Sequence, residues 1–241
     1  MNKDSAQVLF EDPMTETWRK NWFLDGKNAV LEHREGGLAF LTTASDVDKR
    51  VDRAAFDARH AVLWTRREFD GDIRISYTFT QLPDCGWQKL IYVQARGIGT
   101  DPYVEDIYAW RDLREVASMD KYFNCMNLIG LSLRDEIRCK RYPWNDSEGN
   151  KLESEFLPRG ENKGMQIGRE LHVLVEKRRD SILLRVTDAE TGKSVVDHAW
   201  DLTDQNVMKN RRLKLVDKGR IGIRLMGGHK IIFRDFKVER L

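Results

Sequence analysis

The sequence predicts an all-β protein, an antiparallel β-sandwich with one short helical insertion. Apolar and polar residues alternate in about twelve separate segments, and this period of two is typical of strands with one buried face. Turn residues stand between many of these segments, for example Glu35-Gly36-Gly37 and Asp70-Gly71-Asp72. Short strands at this spacing indicate a sandwich or barrel rather than alternating helices and strands.

The predicted strands follow one another along nearly the whole chain. They are 28–33, 38–42, 60–65, 72–80, 88–96, 127–134, 137–142, 171–177, 181–188, 195–200, 220–226 and 230–239. Two segments have a helical pattern, 105–117 and the shorter 204–211. Because no repeat or low-complexity linker divides the sequence, we expect residues 1–241 to form one domain.

Composition excludes several classes of protein. The chain has 41 basic and 39 acidic residues, and a net charge of +2 is too small for a protein whose main partner is nucleic acid. Charged residues make up 33% and hydrophobic residues 41%, which is typical of a globular protein. No apolar run approaches the roughly 20 residues that span a bilayer, so we expect no membrane partner either.

The cysteines and the first residues together favour a cytoplasmic protein. Cys85, Cys125 and Cys139 are odd in number and lack Cys-x-x-Cys spacing, which predicts reduced thiols rather than disulfides or a zinc site. The N-terminal residues lack the basic start and long apolar stretch of a secretory signal. The histidines show no metal-ligand spacing, so we expect no cofactor. A structural calcium ion is compatible with this fold, although no acidic ligand loop stands out.

Alternation also assigns side chains to the two faces of each sheet. Ile91, Val93 and Ala95 are expected to face the core, which turns the residues between them outward. The outward side chains that suit sugar recognition are Trp64, Tyr92, Gln94, Arg96, Ser132 and Arg138. We expect Tyr92, Gln94 and Arg138 to line one groove. An ordinary solvated face is the alternative, because antiparallel sheets commonly expose one side to water.

Several stretches resemble known jelly-roll proteins. Residues 219–224 and 232–238 are similar to the closing hairpin of laminin-G and concanavalin-like domains. Residues 60–64, 106–114 and 138–142, with Tyr122, together resemble the YesU-like family from about Phe10 to the C-terminus. The resemblance implies a concanavalin A-like or galectin-like jelly roll. It also implies an association with the breakdown of pectic polysaccharides, commonly rhamnogalacturonan, but it implies no particular reaction.

Hydrolysis of a glycosidic bond finds little support. Retaining glycosidases on this fold usually carry an E-x-D-x-x-E strand, which holds two carboxylates about 5 to 5.5 Å apart. The nearest string of acids, Glu68 to Asp72, lies at a turn and lacks the last acid. Glu105 and Asp106 stand at a predicted helix start, where carboxylates simply stabilise the N-terminal end.

β-Elimination from a uronic acid has different requirements, and the outer face could provide the groups that it needs. A cation or amide must stabilise the carboxylate while a Tyr, His or Lys removes the α-proton. The candidate catalytic residues are His60, Tyr92, Arg111, Tyr122 and Arg138. Some of these residues could instead have structural roles. An isolated histidine such as His60 is often structural. Alternation places Arg141 with core residues, where a buried ion pair is the expected role.

The long connection 97–126 is expected to carry part of the site. Most strands are joined by short turns, and long connections inside a domain are usually functional or disordered. Tyr108, Trp110 and Phe123 make this one too aromatic for a disordered linker. We expect it to fold over one end of the outer face, with Arg111 and Tyr122 pointing inward. The alternative is a helix that only covers a sheet edge, with Arg111 in solvent.

The sequence therefore predicts a cytoplasmic carbohydrate-active protein, a lyase rather than a hydrolase, acting on oligosaccharides from pectin or a related acidic polysaccharide. The alternative is a lectin-like module that binds such sugars without reaction. The expected substrate-binding residues are Trp64, Gln94, Arg96, Trp110, Ser132 and Arg141. Nothing in the sequence indicates an oligomeric state.

Overall fold

The computed structural model describes residues 7–42, 51–83, 89–113, 119–209 and 215–241. The strands in these ranges are β1 (Val8–Asp12), β2 (Trp22–Asp25), β3 (Ala29–Arg34), β4 (Gly37–Thr42), β5 (Ala61–Thr65), β6 (Phe69–Asp70), β7 (Ile73–Gln81), β8 (Lys89–Gly97), β9 (Met126–Leu133), β10 (Glu136–Tyr142), β11 (Glu155–Glu161), β12 (Glu170–Lys177), β13 (Ser181–Asp188), β14 (Ser194–Asp201), β15 (Lys218–Leu225) and β16 (Lys230–Arg240). The helices are α1 (Arg53–Asp57), α2 (Met119–Cys125) and α3 (Gln205–Met208), with 3-10 segments at Trp18–Lys20 and Ile107–Leu113.

The strands form two sheets, and neighbouring strands run antiparallel. Sheet one has the order β14-β13-β12-β7-β16-β4-β3, with β1 paired to β16. Sheet two has the order β11-β10-β9-β8-β15-β5-β2, with β6 paired to β15. The predicted antiparallel β-sandwich is confirmed.

The core lies between the two sheets and follows from the period of two. Ile73, Ile75 and Phe79 of β7 belong to the same buried cluster as Ile91 and Val93 of β8. Each such side chain contributes about 1.5 to 3 kcal/mol when fully removed from water. A hydrogen bond also joins the two sheets at one side, where the Trp200 indole of β14 donates to the Pro158 carbonyl of β11 at 2.8 Å. In the described residues, no helix is long and apolar enough to span a bilayer.

The sequence-based strands correspond to observed strands, but four observed strands were not predicted. Strand β6 has only two residues, and β1 and β2 are short. Strand β11 contains Pro158 and Gly160, which interrupt the alternating pattern. The short helix expected at 204–211 is present as α3, where the Asp204 side chain accepts a hydrogen bond from the Asn206 backbone at 2.8 Å.

The helix predicted at 105–117 is wrong in type as far as residue 113, and residues 114–117 lie outside the described residues. Ile107–Leu113 is a 3-10 segment with a non-helical kink at Trp110, and the regular helix of the insertion is α2, further along the chain. The expectation for Cys85 lies outside the described residues. Cys125 and Cys139 are both free thiols.

A second correction concerns the end of β8. Gln94 has a positive φ of 49°, and the pairing of β8 with β9 shifts register between Val93 and Arg96. Such a bulge reverses which side the following side chains occupy. Ala95 therefore packs on the outer face of sheet two, and not in the core between the sheets as alternation predicted.

Candidate functional site

A second buried cluster covers the outer face of sheet two, the face turned away from sheet one. We call it the outer cluster, and its buried members are Phe23, Val62, Trp64, Leu90, Tyr92, Ala95, Ile107, Trp110, Tyr122, Met126, Leu128, Tyr142 and Met226. Strands β2, β5, β8, β9, β10 and β15 supply the floor, and the insertion supplies the cover. The insertion therefore folds over this face, as expected, rather than along a sheet edge alone.

Arg224 of β15 is the charged centre of the outer cluster. Its guanidinium donates to the Tyr92 hydroxyl at 2.8 Å and to the His60 Nδ1 at 3.0 Å, and its Cζ lies 4.7 Å from the centre of the Tyr122 ring. All four side chains are buried. Because arginine can only donate, His60 Nδ1 must accept, which places the proton of a neutral imidazole on Nε2.

Asp25, at the end of β2, is the acidic counterpart. Its Oδ2 accepts hydrogen bonds from the Trp64 indole at 3.2 Å and from the Tyr122 hydroxyl. The rings of Trp64, Tyr92 and Tyr122 stack on one another, with centres 5.6 to 6.1 Å apart. Burial raises the pKa of Tyr92, and the nearby Arg224 only partly offsets this. Tyr92 is therefore a neutral phenol near pH 7.

Aromatic rings continue from the outer cluster to the surface. Tyr142 contacts Tyr92 edge-on at 6.2 Å between ring centres and stacks on Phe123 at 5.6 Å. Phe123 stacks on Trp144 at 3.8 Å with the two planes within 6°. Trp144 is partly exposed. The contacts with Phe123 and with Tyr142, whose ring centre is 5.6 Å away, hold the Trp144 ring in a fixed orientation.

Trp144 lines an open cleft of about 430 Å³, which we call the Trp144 cleft. Its other lining residues are Lys140, Lys151, Leu152, Glu153, Ser154 and Glu155. The Lys140 ammonium lies 5.0 Å from the centre of the Trp144 ring and 4.0 Å from Glu155. Partial burial lowers the pKa of Lys140, and neighbouring arginines add to the effect while Glu155 opposes it. The cleft thus combines an aromatic face with charged and hydrogen-bonding groups.

The structure brings five of the predicted site residues together in the outer cluster: His60, Trp64, Tyr92, Trp110 and Tyr122. Tyr122 points inward as expected. Trp110 is 1% exposed, and its indole donates to the Val104 carbonyl at 3.0 Å, so its contacts are those of a core residue. Ser132 lies on β9 opposite Arg138 and is 5% exposed.

The predicted arginines are distributed elsewhere. Arg138 is on the outer face of β10 as expected, where it donates to Glu136 at 2.8 Å. Arg111 lies over the Tyr108 ring at 4.0 Å and donates to the Tyr108 carbonyl. Arg96 forms an ion pair with Glu105 at 2.7 Å. Arg141 is buried and contacts the Leu128 carbonyl at 3.4 Å.

Gln94 does not share a groove with Tyr92 and Arg138. Its side-chain amide donates to the carbonyls of Gly71 at 2.9 Å and Asp217 at 3.2 Å. The bulge at Gln94 turns its side chain away from the outer face and towards the loops at the end of the sandwich. The expectation of a common groove is therefore wrong for Gln94.

Sequence reasoning missed three residues of this face: Asp25, Arg224 and Trp144. Arg224 alternates with Ile221 and Ile223, so the same alternation argument applied to the predicted strand 220–226 could have placed it outward. Asp25 and Trp144 carried no such signal, because β2 was not predicted and Trp144 follows the end of β10.

Comparisons with solved structures identify the fold. No protein-family model and no curated protein matches the chain in sequence. A protein of unknown function with a galectin-like fold, from Bacillus subtilis, has a TM-score of 0.70 at 16% identity, covering 100% of this chain and 98% of that one. The exoplasmic/lumenal domain of VIP36, bound to Ca²⁺ and Man3GlcNAc, has a TM-score of 0.58 at 11% identity, covering 99% and 91%.

A third similar structure is the carbohydrate-binding module CBM66 from Bacillus subtilis. Its TM-score is 0.51 at 10% identity, covering 94% of this chain and 96% of that one. At these identities the likeness concerns the fold, and a shared fold does not by itself carry a function. The chain has the galectin-like, concanavalin A-like jelly-roll fold that the sequence predicted.

Proposed function

We propose that this protein binds oligosaccharides in the manner of a lectin, with the Trp144 cleft as the contact surface. The observation that carries the proposal is the partly exposed Trp144 ring, held by Phe123 and Tyr142 beside lysine, serine and carboxylate groups. The apolar face of a sugar ring packs on such an indole, while its hydroxyls bond to the polar groups around it. The sugar-binding proteins among the similar folds support this assignment.

We further propose that the sugar is acidic. Phe123 covers one face of the Trp144 ring, and the Lys140 ammonium lies 5.0 Å from the ring centre. A uronate packed on the other face would displace this ammonium from above the ring and pair its carboxylate with it. The resemblance to YesU-like proteins makes fragments of rhamnogalacturonan the first ligands to test. In a cytoplasmic protein, such ligands would be short imported oligosaccharides. We propose that binding needs no metal ion, so a chelator should leave the affinity unchanged.

Calorimetric titration of three variants tests the binding site. Trp144→Ala should weaken binding of rhamnogalacturonan oligosaccharides at least tenfold, about 1.4 kcal/mol. Trp144→Phe keeps an aromatic face and should retain most of the affinity. Leu157→Ala, an exposed residue on β11 outside the cleft, is the matched control and should bind as the wild type does.

Two results would contradict the proposal. One is equal affinity of Trp144→Ala and the wild type, which would place the sugar elsewhere. The other is a wild-type protein that binds neither rhamnogalacturonan fragments nor neutral galactan fragments of the same length. Binding of the neutral fragments with equal affinity would retain the lectin function and refute the preference for acidic sugars.

β-Elimination is the second candidate function, and one observation favours it. Arg224 lies between the Tyr92 hydroxyl and the His60 ring, which gives the cation and the two proton-transfer groups that the reaction requires. Against it, these groups are buried, His60 Nδ1 accepts from Arg224, and the pKa of Tyr92 is raised. We therefore favour binding without turnover.

Ultraviolet absorbance separates the two functions. A lyase leaves an unsaturated uronate, which absorbs in the ultraviolet, whereas a lectin leaves the spectrum of the oligosaccharide unchanged. We expect no new absorbance after long incubation with rhamnogalacturonan oligosaccharides. A product that forms with the wild type and is lost in Tyr92→Phe would establish the lyase instead.

A further inference from the structure

A second cleft opens between the ends of the two sheets. Its volume is about 550 Å³, and its lining residues are Gly71, Asp72, Lys177, Arg179, Leu215 and Asp217. We call it the Lys177 cleft. It shares no lining residue with the Trp144 cleft. Gln94 fixes one wall, because its amide binds the carbonyls of both Gly71 and Asp217.

Lys177 is the buried residue of this cleft. It is the last residue of β12, and the period of two places it on the side of Val173 and Val175, which face the core. The residue is 1% exposed. Its amine therefore reaches the cleft from the interior of the sandwich, whereas the amine of most lysines lies in solvent.

The surroundings of Lys177 shift the protonation equilibrium of its amine towards the neutral form. Burial lowers the pKa of Lys177, while the charges of Asp72 and Asp217 act in the opposite direction and only partly offset this. A lowered pKa leaves a larger fraction of the amine unprotonated near neutral pH, and only that form is a nucleophile. The same two carboxylates line the cleft, where they can accept and return protons.

We propose that Lys177 forms an imine with small anionic aldehydes that enter this cleft. The neutral amine adds to the carbonyl carbon, and the first of its two protons passes by way of a cleft carboxylate to the carbonyl oxygen, which gives a neutral carbinolamine. The second amine proton follows the same route to the hydroxyl group, which leaves as water as the carbon–nitrogen double bond forms. No electrons are gained or lost. Arg179 on the cleft wall is the group that would attract the anionic end of the aldehyde.

Reductive trapping on the full chain tests the proposal. Pyridoxal 5′-phosphate, an aldehyde with an anionic group, is added below stoichiometric amounts, the imine is reduced with borohydride, and labelled peptides are identified by mass. Lys177 should be labelled at least tenfold faster than the exposed Lys193, because the lowered pKa of Lys177 leaves more of its amine neutral at the same pH. Labelling of Lys177 should also reach its half-maximal rate at a lower pH.

Two further comparisons test the separate roles of Lys177 and Arg179. Lys177→Met should lose the fast label, whereas Lys218→Met, an exposed neighbour of Asp217, should keep it. Pyridoxal, which lacks the phosphate, should label Lys177 more slowly if Arg179 attracts the anionic group. Equal rates for the two aldehydes would remove Arg179 from the proposal.

The wild-type protein alone can overturn the proposal. Labelling spread over exposed lysines with Lys177 no faster, or the same pH dependence at Lys177 and Lys193, would show that the amine has no special reactivity. This holds even if Lys177→Met fails to fold. The outcome is independent of sugar binding at the Trp144 cleft.

Discussion

The Tyr122 hydroxyl donates a hydrogen bond to the Asp25 carboxylate and so joins helix α2 of the insertion to edge strand β2. The Trp64 indole donates to the same carboxylate oxygen at 3.2 Å. All three residues are buried. A polar contact inside the outer cluster, and not apolar packing alone, therefore fastens the cover to the sheet.

Removing this hydroxyl should cost stability. We expect Tyr122→Phe to lower the free energy of unfolding by about 1 to 3 kcal/mol, because the buried Asp25 carboxylate loses a donor. Chemical denaturation measures the change. Tyr108→Phe is the control, since its hydroxyl accepts an exposed hydrogen bond from Arg66 at 3.0 Å, and its loss should cost less than about 1 kcal/mol. Weaker sugar binding by Tyr122→Phe at unchanged stability would point instead to a functional hydroxyl.

Gly222 leaves room for the Trp64 ring. A Cβ atom at this position would lie 2.4 Å from the Trp64 ring, so Gly222→Ala must displace a buried indole. We expect a loss of about 1 to 3 kcal/mol in unfolding free energy and a changed near-ultraviolet circular dichroism spectrum. Gly227→Ala is the control, because the nearest atom to its new Cβ is 3.3 Å away. Equal losses in both variants would contradict the close approach at Gly222.

We expect the Gln94 side chain to stabilise the fold and not to contact the sugar. Gln94→Leu keeps the side-chain volume but removes the donor to the Gly71 and Asp217 carbonyls, which we expect to cost about 1 to 3 kcal/mol. Sugar affinity, measured by the same titration as for Trp144, should not change. If Gln94→Leu weakens sugar binding and leaves stability intact, the amide contacts the ligand after all.

Acid should weaken the contact between Arg169 and Asp188. Arg169 donates to both carboxylate oxygens at 3.0 and 3.2 Å, and this contact, with further bonds from Thr191, lowers the pKa of Asp188. A lowered pKa stabilises the fold above the unfolded value near 3.8, and the stabilisation is lost as pH falls through the lower folded value.

Denaturation curves at several pH values measure whether the stabilisation by Asp188 falls in acid. The stability advantage of the wild type over Asp188→Asn should be constant near neutral pH and should shrink in acid. Asp197→Asn breaks an exposed pair with Arg185 and should change stability little, since exposed ion pairs contribute little. An advantage that grows as the pH falls would contradict the assignment.

Alternation predicted most of the fold because each sheet buries one face against the other. It failed locally for physical reasons. Pro158 and Gly160 break the pattern in β11, and the bulge at Gln94 occurs without a glycine to signal its positive φ. The polar centre of the outer cluster was only half predicted. Alternation along β8 predicts that the Tyr92 side chain faces outward. Its hydrogen bond with Arg224, however, joins residues 132 positions apart and depends on the pairing of β8 with β15.

The stacking of Trp144 on Phe123 has an optical consequence. Trp18, Trp22, Trp64, Trp110 and Trp200 are buried, so among the described residues Trp144 is the one tryptophan that is more than marginally exposed. Trp87 lies outside the described residues, and its replacement by phenylalanine removes its emission from the signal. A ligand seated on the Trp144 ring would displace water from that indole alone and shift its fluorescence to shorter wavelength. Emission during a titration would then report occupancy of the cleft directly, without a label on either the protein or the sugar.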